Sequence, residues 1–231
     1  MTADPTPPGA VLFDIDGTLA DSNFLHVHAW VRAFAEVGRP ADAWRVHRCI
    51  GMGSDLLVAE ILGDDDAEAL GDDVRDRHSA HYAELAPLLR RFDGARELVQ
   101  AVADRGAATV LATSAAPDEL EKLRAVLELD DVVTGITGDE DVEDAKPEPD
   151  LVRSALDVAG VPAARTVMLG DSVWDVQAAA RAEVPCVGVL SGGTSRAELL
   201  SAGAVEVYDD VADLLAHLDD SPLAAVWARG D

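Results

Sequence analysis

Apolar residues follow two rhythms along this chain. Val11-Leu12-Phe13 is a short unbroken apolar run that stops at Asp14 and Gly17, the pattern of a buried strand ending in a loop. Similar runs at 107–112, 166–169 and 186–190 predict further strands, and 205–207 predicts a weaker, peripheral one. Between them, apolar positions recur at helical spacing over 93–104, 117–127, 151–159, 173–182 and 196–202. Strands alternating with helices imply an α/β fold, a doubly wound parallel sheet covered on both faces. The stretch from about 21 to 90 breaks that rhythm. It offers no strand and four helical patterns, 24–37, 41–49, 54–62 and 65–89, punctuated by Gly38, Gly51, Gly53 and Gly63. This predicts an all-helical cap (21–90) inserted into a discontinuous core (9–20 and 91–218), with flexible tails at 1–8 and 219–231. No internal repeat is visible.

Composition narrows the class. At 231 residues and 48% hydrophobic, the chain is long enough for one sizeable core and a small accessory unit. No apolar run reaches the length of a membrane span, and the start of the chain lacks the basic-then-apolar pattern of a secretory signal. Cys49 and Cys186 are far apart and form no CxxC pair. They are expected to be packed, inert thiols in a reducing cytoplasm.

Charge is lopsided: 44 acidic residues against 18 basic ones give a net of −26. Nucleic acid and anionic membrane are thereby disfavoured as partners, whereas a small phosphorylated metabolite is not, because one local cation overrules the global field at close range. Only Lys122 and Lys146 are lysines; every other residue in that basic count is Arg. Scarce Lys with abundant Asp suggests either adaptation to high salt or a coding bias. Asp64-Asp65-Asp66 and Asp72-Asp73 read as solvated surface.

Within this acidic background one pattern stands apart. Asp14 and Asp16 flank Ile15 immediately after the first strand. In extended chain, residues i and i+2 face the same side, and open parallel sheets bind ligands just beyond the carboxyl ends of their strands. Two anions in one crevice need a cation or a shared proton. Asp171 follows the strand 166–169 in the same manner, and Asp175 lies one helical turn further on. Oxygen ligands with few His or Cys suit a hard ion such as magnesium. Thr113 and Ser114 follow another strand, and with the free N–H groups of the helix starting near Pro117 they predict an anion seat. Lys146, before the helix at 151, is placed to neutralise a nucleophile and a bound phosphate; Lys122, beside Glu119 and Glu121, reads as surface.

Four ordered motifs now stand out: Phe13-Asp14-Ile15-Asp16-Gly17-Thr18, Thr113-Ser114, Lys146-Pro147-Glu148-Pro149-Asp150, and Gly170-Asp171-Ser172 with Asp175. Together they resemble the haloacid dehalogenase superfamily, over roughly Val11 to Leu218. The resemblance implies a Rossmann-like core and a phosphatase working through an aspartyl-phosphate. Asp14 would attack phosphorus, Asp16 would act as acid and then base, Thr113 would hold the transferring group, and Lys146 would pair with Asp14. Magnesium would be held by Asp14, the Asp16 carbonyl and Asp171, with Asp175 touching the ion or one of its ligands. Dehalogenases of the superfamily lack the second carboxylate, so Asp16 favours phosphate esters.

The segment from Asp21 to Trp30 resembles the start of the cap in the phosphoglycolate phosphatase and beta-phosphoglucomutase groups, and His26 matches a histidine that the mutases place near the active site. Residues 49–55 resemble the cap loop that reaches over the phosphate site, or form a plain helix–helix turn. Ser114, His26 and Gly53 are the resulting substrate-binding candidates. Mutases of this type place an Arg in that loop, and 51–57 contains none; Arg45, His47 and Arg48 lie nearby without an assigned place. The leading expectation is a magnesium-dependent phosphatase, monomer or homodimer, acting on a small phosphomonoester. A sugar-phosphate mutase and a non-catalytic phosphate-binding protein are the alternatives.

Overall fold

The computed structural model describes residues 9–138 and 145–227. Six parallel strands form one sheet: β1 (Ala10–Phe13), β2 (Ala108–Ala112), β3 (Gly135–Thr137), β4 (Thr166–Gly170), β5 (Cys186–Val189) and β6 (Glu206–Tyr208), in the order β3-β2-β1-β4-β5-β6. Side chains alternate across it. Val11, Phe13, Leu111, Val167, Leu169, Val187 and Val189 enter one apolar cluster, and Leu12, Val110, Met168 and Cys186 enter the other. This is why the strands read as unbroken apolar runs: both faces are covered.

Helices α5 (Ala95–Asp104) and α6 (Pro117–Leu127) supply Leu98, Val102, Leu123 and Leu127 to the first cluster. The other face is covered by α7 (Asp150–Ala159), α8 (Val173–Arg181) and α9 (Arg196–Ala202), through Val152, Val176 and Leu199. Both free cysteines are buried, and burial pushes the Cys49 thiol up to about 11, so neither behaves as a reactive thiolate.

Four helices stand between β1 and α5: α1 (Asn23–Glu36), α2 (Ala43–Cys49), α3 (Ser54–Leu62) and α4 (Asp64–Leu85). They pack around a third apolar cluster containing Trp30, Phe34, Val46, Leu57 and Val74. The chain leaves and re-enters the core side by side: Asp21 N–H donates to the Arg90 carbonyl at 2.9 Å, and Phe92 N–H to the Leu19 carbonyl at 2.9 Å.

Three differences from the sequence reading are instructive. Strand β3 was not foreseen, because Gly135-Ile136-Thr137 is too short to show a rhythm; an edge position with one neighbour is enough to hold it. Helix α10 (Val211–Ala216), six residues long, was missed for the same reason. The third concerns the end of the chain, expected to be a tail from 219. As far as Trp227 it packs: Leu223 and Val226 are buried, Gly9 N–H donates to the Val226 carbonyl at 2.8 Å, and the Arg105 guanidinium lies 5.5 Å over the Trp227 ring. The expected tail at 1–8 and the last residues, 228–231, lie outside the described residues. Among the described residues no helix is long and apolar enough to cross a membrane.

Candidate active site

The sheet order reverses direction between β1 and β4, so the loops after these two neighbouring strands part and leave a crevice. Register pairs Phe13 with both Leu111 and Leu169. The residues just beyond, Asp14, Thr113 and Asp171, therefore emerge side by side from three adjacent strand tips. Gly17, at φ 75°, turns the chain back here; a side chain on it would come within 2.6 Å of the Asp171 carboxylate.

Asp14 and Lys146 form the centre of the floor. Lys146 Nζ donates to Asp14 Oδ1 and to Asp175 Oδ1, each at 2.6 Å, and all three side chains are buried. The other Asp175 oxygen accepts from the Ser172 N–H at 3.0 Å and hydroxyl at 2.6 Å, the capping box that starts α8. Asp175 is thus fully engaged as the brace of Lys146. Thr18 Oγ1 lies 3.1 Å from Asp14 Oδ2 and 3.2 Å from Asp171 Oδ1. Asn23 Nδ2 donates to Asp171 Oδ2 at 2.9 Å, while Asn23 Oδ1 is buried with no protein partner.

Burial, then repulsion from Asp175, pushes the Asp14 carboxyl up to about 7 against the pull of Lys146. Burial, then Asp175 and Asp14, likewise raises Asp171 well above the usual carboxylate range. Burial favours neutral Lys146, and the two carboxylates reverse this and raise it. Oxygens of Asp14, Asp171 and Asp175 lie within 4.8 Å of one another. Three carboxylates against one ammonium, with one hydroxyl proton shared between two of them, form a donor set short of positive charge and built of oxygen. It fits a hard divalent cation.

Asp16 points the other way. Its Oδ1 accepts from Ser22 Oγ at 2.5 Å and faces His26 Nε2 at 3.4 Å, and its Oδ2 faces Thr113 Oγ1 at 3.5 Å. Burial alone would raise this carboxyl; the hydrogen bond and charge of His26, with Ser22, outweigh it and hold it low. Thr113 Oγ1 also accepts from Ala115 N–H at 3.1 Å, which fixes the loop leading into α6.

Asp14, Asp16, Lys146, Ser114 and His26 all line one cavity of about 200 Å3, closed from above by Ile50, Gly51, Met52 and Ser54 and by Arg75 and His78 of α4. The loop 49–55 therefore does reach over the site. Gly53 does not line the cavity, because it packs on Ala145, with which any side chain at 53 would collide; its neighbours take the place expected of it. His28 is exposed, on the outer face of α1. His47 stacks on Phe24 and contacts the Gly192 carbonyl at 2.9 Å; Arg48 pairs with Glu198, and Arg45 is exposed, so none of the three enters the cavity. Thr18, Asn23, Ser22, Arg75, His78 and Glu119 carried no assigned role in the sequence. Thr18 ends the first motif and Ser22 and Asn23 follow within five residues, a usable signal; Arg75 and His78 lie far from any motif, and Glu119 stands beside Glu121 and Lys122 in a stretch that reads as surface, so these three had none.

The family profile for haloacid dehalogenase-like hydrolases matches residues 11–189. The phosphoglycolate phosphatase of Rhodospirillum rubrum is 37% identical over 217 residues, covering 90% of this chain and 89% of that protein. A hydrolase from Pseudomonas syringae shares the fold with a TM-score of 0.85 at 35% identity, over 92% of this chain and 98% of its own. CbbY from Rhodobacter sphaeroides, solved in complex with phosphate, aligns with a TM-score of 0.73 at 28% identity, over 92% and 99%.

Proposed function

The chain belongs to the haloacid dehalogenase-like hydrolases and is a phosphatase, and on that premise we propose that it hydrolyses a small carboxylated phosphomonoester of the phosphoglycolate type, with magnesium, through a phosphorylated Asp14. The observation that carries this is the floor of the cavity: a strand-tip carboxylate held by a buried ammonium at 2.6 Å, beside a separate hydrogen-bonded carboxylate, Asp16.

Asp14 Oδ attacks phosphorus as the bond to the leaving oxygen breaks, and that oxygen takes a proton through Asp16, supplied by His26, which, against the effect of burial, Asp16 holds above the usual histidine range. Asp16, now a carboxylate, takes a proton from water; the resulting hydroxide attacks phosphorus, frees Asp14 and releases inorganic phosphate. Lys146 keeps the Asp14 oxygen aimed and offsets its charge, and Asp175 keeps Lys146 in place. Thr113 and the amides opening α6 cradle the phosphoryl oxygens. Asp14, the Asp16 carbonyl and Asp171 would hold the metal. When bound, magnesium offsets repulsion between the nucleophile and an anionic ester.

Two observations favour a compact acidic substrate. The cavity, at about 200 Å3, is below the ~300–1,000 Å3 usual for drug-sized ligands. Its helical side presents Arg75, whose partners Asp55 and Asp72 are 83% and 97% exposed and so are readily exchanged for a substrate carboxylate. The reading is tested by comparing kcat/KM across phosphomonoesters with and without magnesium. Phosphoglycolate should exceed p-nitrophenyl phosphate and the sugar phosphates, with no turnover after chelation. Preference for a sugar bisphosphate would establish the mutase instead, and no turnover of any ester by folded protein would establish a binding protein.

A further inference from the structure

One cluster in the same cavity extends beyond the contact of His26 with Asp16. His26 of α1, His78 of α4 and Glu119 of α6 converge on the side of Asp16 away from Asp14. His26 presents Nε2 to Asp16 Oδ1 at 3.4 Å, which turns its Nδ1 towards His78 Nε2, 3.1 Å away. One donor atom from each of the three lies within 4.8 Å of the others, and none of the side chains is more than 12% exposed. The rings are locked: Tyr82 stacks on His26 and Trp30 on His78, both with centroids 3.9 Å apart.

We propose that His26 Nδ1, His78 Nε2 and Glu119 form a second metal site, selective for a borderline divalent ion such as zinc, whose occupation inhibits the enzyme. Two imidazoles and a carboxylate with a fourth position open to a cavity are a zinc donor set, unlike the all-oxygen set at Asp14 and Asp171. Zinc–nitrogen bonds of about 2.0–2.1 Å place two tetrahedral ligands about 3.3 Å apart, close to the 3.1 Å already present. A metal-bound histidine commonly gives its second N–H to a carboxylate, and Asp16 is so placed behind His26. His26 Nδ1 and His78 Nε2 already face each other across one shared proton, which a metal would displace on binding. Glu119 Oε1 lies 3.8 Å from His78 Nδ1, and a change of side-chain torsion would carry this carboxylate to the Nε2 side as the third ligand.

The binding claim stands independently of the phosphatase mechanism. The inhibition rests on it: a dication behind His26 withdraws charge from Asp16 and blocks the cavity over Asp14.

The test is cobalt(II) titration of the full chain under saturating magnesium, followed by visible absorption. One equivalent with the intense bands of a four-coordinate, nitrogen-containing site is expected. The bands should persist in Asp171→Asn and vanish in His78→Ala and Glu119→Gln. Zinc should displace the cobalt, and should inhibit phosphatase activity with a half-inhibitory concentration raised at least about tenfold in Glu119→Gln. If His78→Ala does not fold, His78→Gln and Glu119→Gln decide. Absence of the bands in the unaltered protein, their survival in both cluster variants, or their loss in Asp171→Asn would overturn the site. Binding without inhibition would overturn the inhibitory role alone.

Discussion

The floor of the cavity and its roof are built on different principles. On the floor, Asp14, Thr113 and Asp171 leave three neighbouring parallel strands, and Lys146 ties Asp14 to Asp175 by two bonds of 2.6 Å. Asp14, Asp175 and Lys146 are buried and fixed by one another, and buried Asp171 is held by Thr18 and Asn23. On the roof, Arg75 and His78 project from one face of a 22-residue helix, and Arg75 is held only by solvent-exposed acids. The floor suits a reaction that needs fixed geometry and charge balance. The roof suits selection, where side chains exchange one partner for another. The difference teaches that in this molecule parallel strands align the buried charges, while helix packing places the exchangeable ones above them.

This contrast can be broken at several points. Asp14→Asn should abolish turnover, by about three orders of magnitude or more, as removal of a nucleophile does. Its melting temperature should be unchanged or raised, since it removes one of three mutually repelling carboxylates; substantial residual kcat would sink the nucleophile assignment. Lys146→Met should damage both activity and fold. It strands Asp14 and Asp175 without a counter-charge, and breaking a buried pair costs about 3–5 kcal/mol, measurable by denaturant unfolding. A variant as stable as the parent would show that the floor is not held by its charges.

Effects at the roof should be smaller and selective. Arg75→Ala should lower kcat/KM for phosphoglycolate about 10–100-fold, the worth of a hydrogen bond to a charged group, and leave p-nitrophenyl phosphate nearly untouched. Equal losses on both esters would move Arg75 from selection to general support. The smallest effect concerns the surface. With a net charge of −26, the melting temperature should rise with added sodium chloride as self-repulsion is screened. Indifference to salt would favour coding bias over a high-salt habitat.

The legible parts of the chain share one property: their signal is local. The strands β1, β2, β4 and β5 and the helices α3, α6 and α9 were visible because a buried strand or an amphipathic helix writes its period into adjacent residues. Asp14, Asp16, Lys146 and Asp171 were visible because strand tips carry function and each motif is contiguous. What escaped was short, as in β3 and α10, or assembled across distance. His78 and Glu119 are 41 positions apart in the chain, and neither has a neighbour that marks it. Gly53 was misplaced by one or two residues because a loop's outline reveals its reach but not which residue faces inward.

By itself the sequence determined the layered α/β fold, the helical insertion and the candidate carboxylates at the strand tips, since burial period and motif spacing are properties of neighbouring residues. Only the tertiary structure decided that Asp14 and Asp16 face different partners, that Asp175 serves Lys146, and that Arg75 and the His26–His78–Glu119 cluster overlook the site. Those facts depend on how α8 and the loop carrying Lys146 meet β1, and on how α1, α4 and α6 come together around one cavity. Packing is a balance over many non-local contacts, and no short stretch of residues encodes it.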